Sequence, residues 1–133
     1  MREIKFQYIW QDRDDKFHIL TEKIEDIEEY MDIVANRRMG WTLVARREWT
    51  GLHDKNGKEI YEGDILRYHN FYPEPKDLFI VEWVDFSCSF YLFRQNYILS
   101  HLPYENLHSR NKDHYEVIGN IYENPKLLEG KTP

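Results

Sequence analysis

Thr50-Gly51-Leu52-His53-Asp54-Lys55-Asn56-Gly57-Lys58-Glu59-Ile60-Tyr61-Glu62-Gly63-Asp64-Ile65 packs two backbone reversals into one short stretch. Asn56-Gly57 suits a two-residue hairpin turn, because both central positions of that turn need positive φ and Asn and Gly tolerate it best. Asp54 tightens the same turn, since its short carboxylate reaches backbone amides nearby. Glu62-Gly63-Asp64 makes the second reversal. The spacing leaves a small strand between the two, around Glu59 to Tyr61, and Ile65-Leu66-Arg67-Tyr68 follows as the next strand.

Outward from this stretch, extended segments recur. Glu3 to Trp10 alternates, with Ile4, Phe6, Tyr8 and Trp10 on one face and Glu3, Lys5 and Gln7 on the other, which predicts a half-buried strand. Gln11 to Lys16 is a polar turn, and Phe17-His18-Ile19-Leu20 pairs back as a short return strand. The single helical signal follows. Thr21 is placed as an N-cap. Leu20, Ile24, Ile27, Met31 and Val34 form one apolar stripe. Arg37 and Arg38 suit the last turn, and Gly40 suits a left-handed C-terminal residue.

Trp41 to Trp49 reads as a strand. His69 to Asp77, with Pro73 and Pro75, reads as a loop. Leu78 to Val84 is a strand, and Phe90 to Phe93 is another, apolar on both sides and so central. Residues 97–113 read as irregular, with Tyr97-Ile98-Leu99 continuing the sheet. Tyr115 to Tyr122 is the last strand, with Gly119-Asn120 allowing a bulge or sharp bend. Asn124-Pro125 ends it, Lys126-Leu127-Leu128 docks, and residues 129–133 fray. The pattern predicts a mainly β fold, a small curved barrel or roll of antiparallel strands with one helical insertion, α+β by content. A single domain over 1–133 is expected: N-terminal strand 2–10, helix 21–39, barrel core about 41–122, frayed tail 129–133.

Composition narrows the function classes. The 133 residues fit one core. Eighteen basic against 24 acidic side chains give a formal charge of −6, which disfavours a general grip on nucleic acid. Arg37-Arg38 and Arg46-Arg47 read as solvated surface. The one cysteine, Cys88, forms no intrachain disulfide and suits a reducing cytosol. No apolar run has the length of a membrane span, and the alternating N-terminus lacks the apolar core of a signal peptide. A cytoplasmic protein is expected.

Three blocks carry a family resemblance. They are Met1-Arg2-Glu3-Ile4-Lys5-Phe6 with Trp10, the double-turn stretch Thr50 to Ile65, and Val117-Ile118-Gly119-Asn120-Ile121-Tyr122-Glu123-Asn124-Pro125 with Leu127 and Leu128. In order and spacing the chain resembles the YopX-like family of bacteriophage and prophage proteins. The resemblance implies an SH3-like barrel in a small cytoplasmic protein of mobile genetic elements. It implies no activity, cofactor or catalytic residue. The segment 21–40 and the aromatic loop 69–76 look like regions where members vary, and variable insertions on a fixed scaffold are places to seek specificity.

No motif for chemistry stands out. His18, His53, His69, His101, His108 and His114 form no helical zinc pair, and Cys88 has no cysteine partner. His108 and His114 flank a polar loop near Asp113, which scattered surface histidines explain. Cys88, between Ser87 and Ser89, reads as a small soft core residue rather than a nucleophile. Asp54, Glu59, Glu62 and Asp64 crowd the two turns and could offer hard oxygen ligands, but Asp54 and Asp64 already have turn roles. Gly51, Gly57 and Gly63 lack the following helix a phosphate loop needs. Metal, cofactor and catalytic residues are therefore not assigned. Asp54, Asn56, Gly57, Gly63, Asp64, Gly119 and Asn120 are assigned to structural turns.

Aromatic residues exceed what a minimal barrel core needs. Phe71, Tyr72, Trp83 and Phe86, with Arg46 and Arg47, form the candidate binding surface; the competing reading sends these rings to the core or to a subunit interface. The leading expectation is a non-enzymatic interaction module that self-associates and binds a phage or host protein. One alternative is nucleic-acid binding in phage DNA metabolism, with Arg37, Arg38, Arg46, Arg47 and Lys112 on phosphate and Phe71 or Tyr72 stacking on bases. The other is a hydrolase using the acidic turns or Cys88.

Overall fold

The structure is a computed structural model that describes residues 3–23, 39–68, 78–85, 88–94, 104–106 and 114–128. Strands dominate it: β1 (Lys5–Gln11), β2 (Phe17–Lys23), β3 (Thr42–His53), β4 (Glu59–Tyr61), β5 (Asp64–Tyr68), β6 (Leu78–Val84), β7 (Ser89–Arg94), β8 (Tyr104–Asn106) and β9 (Tyr115–Asn120). A short 3-10 helix, Pro125–Leu128, follows β9. The mainly β expectation holds. The pairing is not that of a closed barrel, however. Among the described residues the strands form two open sheets, ordered β2-β1-β3-β4 and β8-β7-β6-β5-β9.

The chain divides into two compact units, Met1–Gly51 and Leu52–Pro133. In the first, β1 pairs antiparallel with both β2 and β3. Its alternation is interrupted by a register shift at Ile9/Trp10, and Tyr8, Ile9 and Trp10 are all buried. The strand is thus covered on both faces at its centre, where the sequence predicted one. β2 runs on to Lys23, so Thr21 is a strand residue opposite Gln7 rather than a helix cap. Pairing along the whole of β1 outweighs a local capping signal, and a β-branched Thr suits it. The register also sets Lys5 opposite Lys23. Like charges in such a pair repel, and each amine has another partner: Lys5 Nζ lies 4.3 Å from the Trp49 ring centroid, Lys23 Nζ 3.6 Å from Glu3 Oε1. Of the helix predicted over 21–39, residues 21–23 belong to β2 and residues 24–38 lie outside the described residues. Met39 and Gly40 form a turn.

The second unit is built on alternation that the sequence displays openly. Leu66 pairs with Phe79, Val81 with Leu92 and Trp83 with Phe90, and directly paired residues share a face. Leu66, Phe79, Val81, Phe90, Leu92 and Tyr115 of this sheet and Ile60 of β4 form the core, with Leu52 and Val117 packed against it. Each such side chain stabilises the fold by about 2 kcal/mol on burial. Phe79 meets Tyr115 edge-on at 5.9 Å. β7 lies between β6 and β8, as its two apolar faces predict. β8 itself falls in the stretch read as irregular; three residues carry too little alternation to show as a strand. Among the described residues no helix is long and apolar enough to cross a membrane.

Candidate functional site

Asp54 is the hub of the double turn. Its N–H donates to Lys58 O at 2.7 Å, and its own carbonyl accepts from Gly57 N at 3.0 Å. The carboxylate Oδ1 accepts from the amides of Asn56 (2.8 Å) and Lys58 (2.9 Å). Its Oδ2 accepts from Val117 N on β9 at 2.9 Å. Lys55 N adds a bond to Tyr115 O at 2.9 Å, and Lys55 Nζ lies 3.8 Å from Glu116 Oε2. The hairpin tip therefore caps the backbone of β9, with a side-chain carboxylate standing where a further strand would pair. The turn differs from the predicted two-residue form. Only Gly57 has positive φ, at 84°, so Lys55-Asn56-Gly57 is a three-residue loop with its glycine in the left-handed position. Two amides bonded to one carboxylate oxygen hold Asn56 out of that region.

The second reversal engages its acid in the same manner. Asp64 is buried, and its Oδ2 accepts from Tyr61 N at 2.8 Å. Gly63 N donates to Val81 O at 2.7 Å, and Gly63 O accepts from Ile121 N at 2.9 Å, so this turn is bonded to β6 and to the end of β9. Gly119 is required for space: a Cβ there would lie 2.6 Å from Asn124 Oδ1 and 2.9 Å from Leu127 Cδ1. The 3-10 helix docks into that gap. Asn120, also buried, accepts at Oδ1 from the amides of Tyr122 and Glu123 (3.0 and 2.8 Å) and donates from Nδ2 to Glu123 Oε1 (2.9 Å). The β9 register skips a residue between Val117 and Gly119, which is the predicted bulge. Of the residues assigned to turns, Asn56, Gly57 and Gly63 lie in turns, Asp54 and Asp64 flank them, and Gly119 and Asn120 end β9.

The sequence reading missed that the Asp54 loop recurs. Asp12 N donates to Lys16 O (2.9 Å) and Asp12 O accepts from Asp15 N (3.1 Å). Asp12 Oδ1 accepts from Asp14 N (2.8 Å) and Lys16 N (3.0 Å). Asp15, at φ 63°, occupies the position Gly57 has in the other loop. The shared spacing Asp-x-x-x-Lys in 12–16 and 54–58 is the signal that marks the pair. Asp12 Oδ2 then accepts from His18 Nε2 at 2.8 Å, and the His18 ring stacks on Trp41 at 4.1 Å. The carboxylate can only accept, so Nε2 carries the proton. The His18 hydrogen bond, with the Lys16 and Asp14 amides behind it, holds the Asp12 carboxyl below the usual range. This pair fastens a hairpin end.

Cys88 is corrected. It is exposed, not in the core, and sits in the turn between β6 and β7 at φ 49°. Its N–H donates to Asp85 O at 3.2 Å, and its Sγ lies 3.3 Å from the same oxygen. The flanking serines hid this, because a turn between two strands and an interruption within one strand look alike in sequence. Among the described residues no group of three or more His, Cys, Asp or Glu converges in a way that could hold a metal ion.

The proposed binding residues separate. Arg47 is buried, not solvated: Nε and Nη2 donate to Gln7 Oε1 at 3.0 and 2.6 Å. Arg46 is exposed, with its guanidinium carbon 5.1 Å from the Phe6 ring centroid. Both belong to the first unit. Trp83 belongs to the second, where it is 38% exposed and meets Phe90 edge-on at 5.0 Å. It stands on the core face, one alternation beyond the fully buried Val81. Tyr91 is half-buried on the opposite face. Phe71, Tyr72 and Phe86 lie outside the described residues, as do Arg37, Arg38 and Lys112.

Comparison with known proteins gives one family. The family model described as YopX protein matches residues 1–129. No curated protein matches the chain. Among solved structures, the crystal structure of protein EF1440 from Enterococcus faecalis is similar at 27% identity and a TM-score of 0.45, covering 92% of this chain and 75% of that one.

Proposed function

The chain belongs to the YopX family, and from that premise we propose that it is a non-catalytic interaction module that self-associates and binds a macromolecular partner. Trp83 is the observation that carries this reading. A large indole on the core face of β6, left 38% exposed with Phe90 braced against one edge, has the form of an interface anchor. Such a ring contributes much contact area at little conformational cost. The acidic turns support a scaffold role rather than a chemical one, because Asp54 and Asp64 already accept backbone amides. A net charge of −6 and the burial of Arg47 favour a protein partner over nucleic acid. The bacterial cytoplasm, in the setting of a phage or prophage, is the proposed location.

Affinity capture from host cells, run in parallel with wild-type protein and Trp83→Ala, tests the reading. The expected result is a defined protein retained by the wild type and lost by the variant, with the circular dichroism of the two unchanged. Equal retention by both contradicts Trp83 as the anchor.

A further inference from the structure

Asn56-Gly57 is the one Asn–Gly pair in the chain. An asparagine before glycine is chemically exposed, because the next backbone nitrogen can reach the carboxamide carbon with no side chain in the way. Here Asn56 is solvent-exposed at the hairpin tip, and a Cβ built on Gly57 would meet nothing within 4 Å. The Asn56 side chain makes no hydrogen bond with a described residue, so its carboxamide is open to attack. The same turn restrains the attacking group: Gly57 N–H donates to Asp54 O at 3.0 Å, while Asp54 Oδ1 holds the amides on either side, Asn56 N at 2.8 Å and Lys58 N at 2.9 Å.

We propose that Asn56 is a site of spontaneous deamidation, and that Asp54 is the positioning residue that sets its rate by holding the turn shut. When the turn opens, Gly57 N gives its proton to water or hydroxide and bonds to Asn56 Cγ. The Cγ–Nδ2 bond breaks and ammonia leaves with a proton from water, closing a five-membered succinimide. One water then opens the ring, giving either aspartate or isoaspartate at position 56. No oxidant or reductant takes part. Both products add a carboxylate two residues from that of Asp54. Isoaspartate also routes the chain through the former Cβ, lengthening the backbone before Gly57. The Gly57 and Lys58 bonds to Asp54 then lose their register, and with them the hold of Asp54 Oδ2 on Val117 N (2.9 Å). The turn thus converts the age of the molecule into a loosened β9.

The test is incubation of the folded wild type, Asp54→Asn and Asn56→Gln at mildly alkaline pH, beside the wild-type chain unfolded in urea. Peptide mapping by mass spectrometry and enzymatic methylation of isoaspartate give the rates. The unfolded chain reacts at Asn56 faster than at any other asparagine, and the folded wild type reacts more slowly than the unfolded chain. Loss of one carboxylate acceptor makes Asp54→Asn roughly tenfold faster than wild type, and Asn56→Gln shows no reaction there. Aged wild type exchanges the Val117 amide faster than fresh protein. A folded wild type as fast as the unfolded chain overturns the proposal. So does an unreactive Asn56 in urea, a folded Asp54→Asn indistinguishable from wild type, or an unchanged Val117 amide after modification. If Asp54→Asn fails to fold, the comparison of folded with unfolded wild type decides.

Discussion

Three aspartate carbonyls, of Asp12, Asp54 and Asp85, accept from the amide three places on, and the residue there differs: Asp15, Gly57 and Cys88, at φ 63°, 84° and 49°. Only glycine takes that conformation without strain, and cysteine lacks the side-chain compensation that Asp can make. Cys88→Gly is therefore expected to raise stability by about 0.5–1 kcal/mol, net of the added freedom of the unfolded chain; urea unfolding reads it, and a less stable variant contradicts the strain. Asp12 gives a pH test. Its folded carboxyl sits below the usual range, chiefly through His18, so its contribution is complete above the unfolded value of about 3.9. It is lost as pH falls through the lower folded value. Stability curves of wild type and Asp12→Asn should converge on acidification below that point; a gap that stays constant down to the acid limit refutes the linkage.

At the scale of elements, the short strand Glu59–Tyr61 was legible because a turn at each end fixes its length. Leu78–Val84 was legible from alternation alone. Other features depend on partners distant in sequence. Arg47 is buried through Gln7, 40 residues away, and β2 extends to Lys23 because β1 offers it a ladder. Neither partner is visible from local propensity. The capping of β9 by Asp54 was half legible: the turn role could be read, but the bond to Val117 spans 63 residues. Asp54→Ala removes the acceptor of three backbone amides, and with Val117 N part-buried the expected loss is about 3 kcal/mol in chemical denaturation. A loss no greater than that of an average surface change would rule out the hub. Gly119→Ala forces a methyl against Asn124 and Leu127. It should cost about 2 kcal/mol and free the 3-10 helix to exchange its amides faster; an unperturbed helix would show that the gap is not needed.

For the whole molecule, the sequence conveyed a mainly β chain but not its division into two open sheets, because strand order is set by pairing and not by the pattern of any one segment. Of the candidate surface, the burial of Arg47 was not legible, because its partner Gln7 is distant in sequence. Alternation groups Trp83 with Phe79 and Val81 on one face of β6, but where that face leaves the core depends on the packing of β6 and β7. Two copies that each carry a net charge of −6 repel one another, so the proposed self-association requires a local anchor such as Trp83. Sedimentation equilibrium over a wide concentration range, on wild type and Trp83→Ala with matched circular dichroism, tests that most directly. The account predicts reversible self-association of the wild type and a monomeric variant; a wild type that stays monomeric throughout, or a variant that associates equally well, contradicts it.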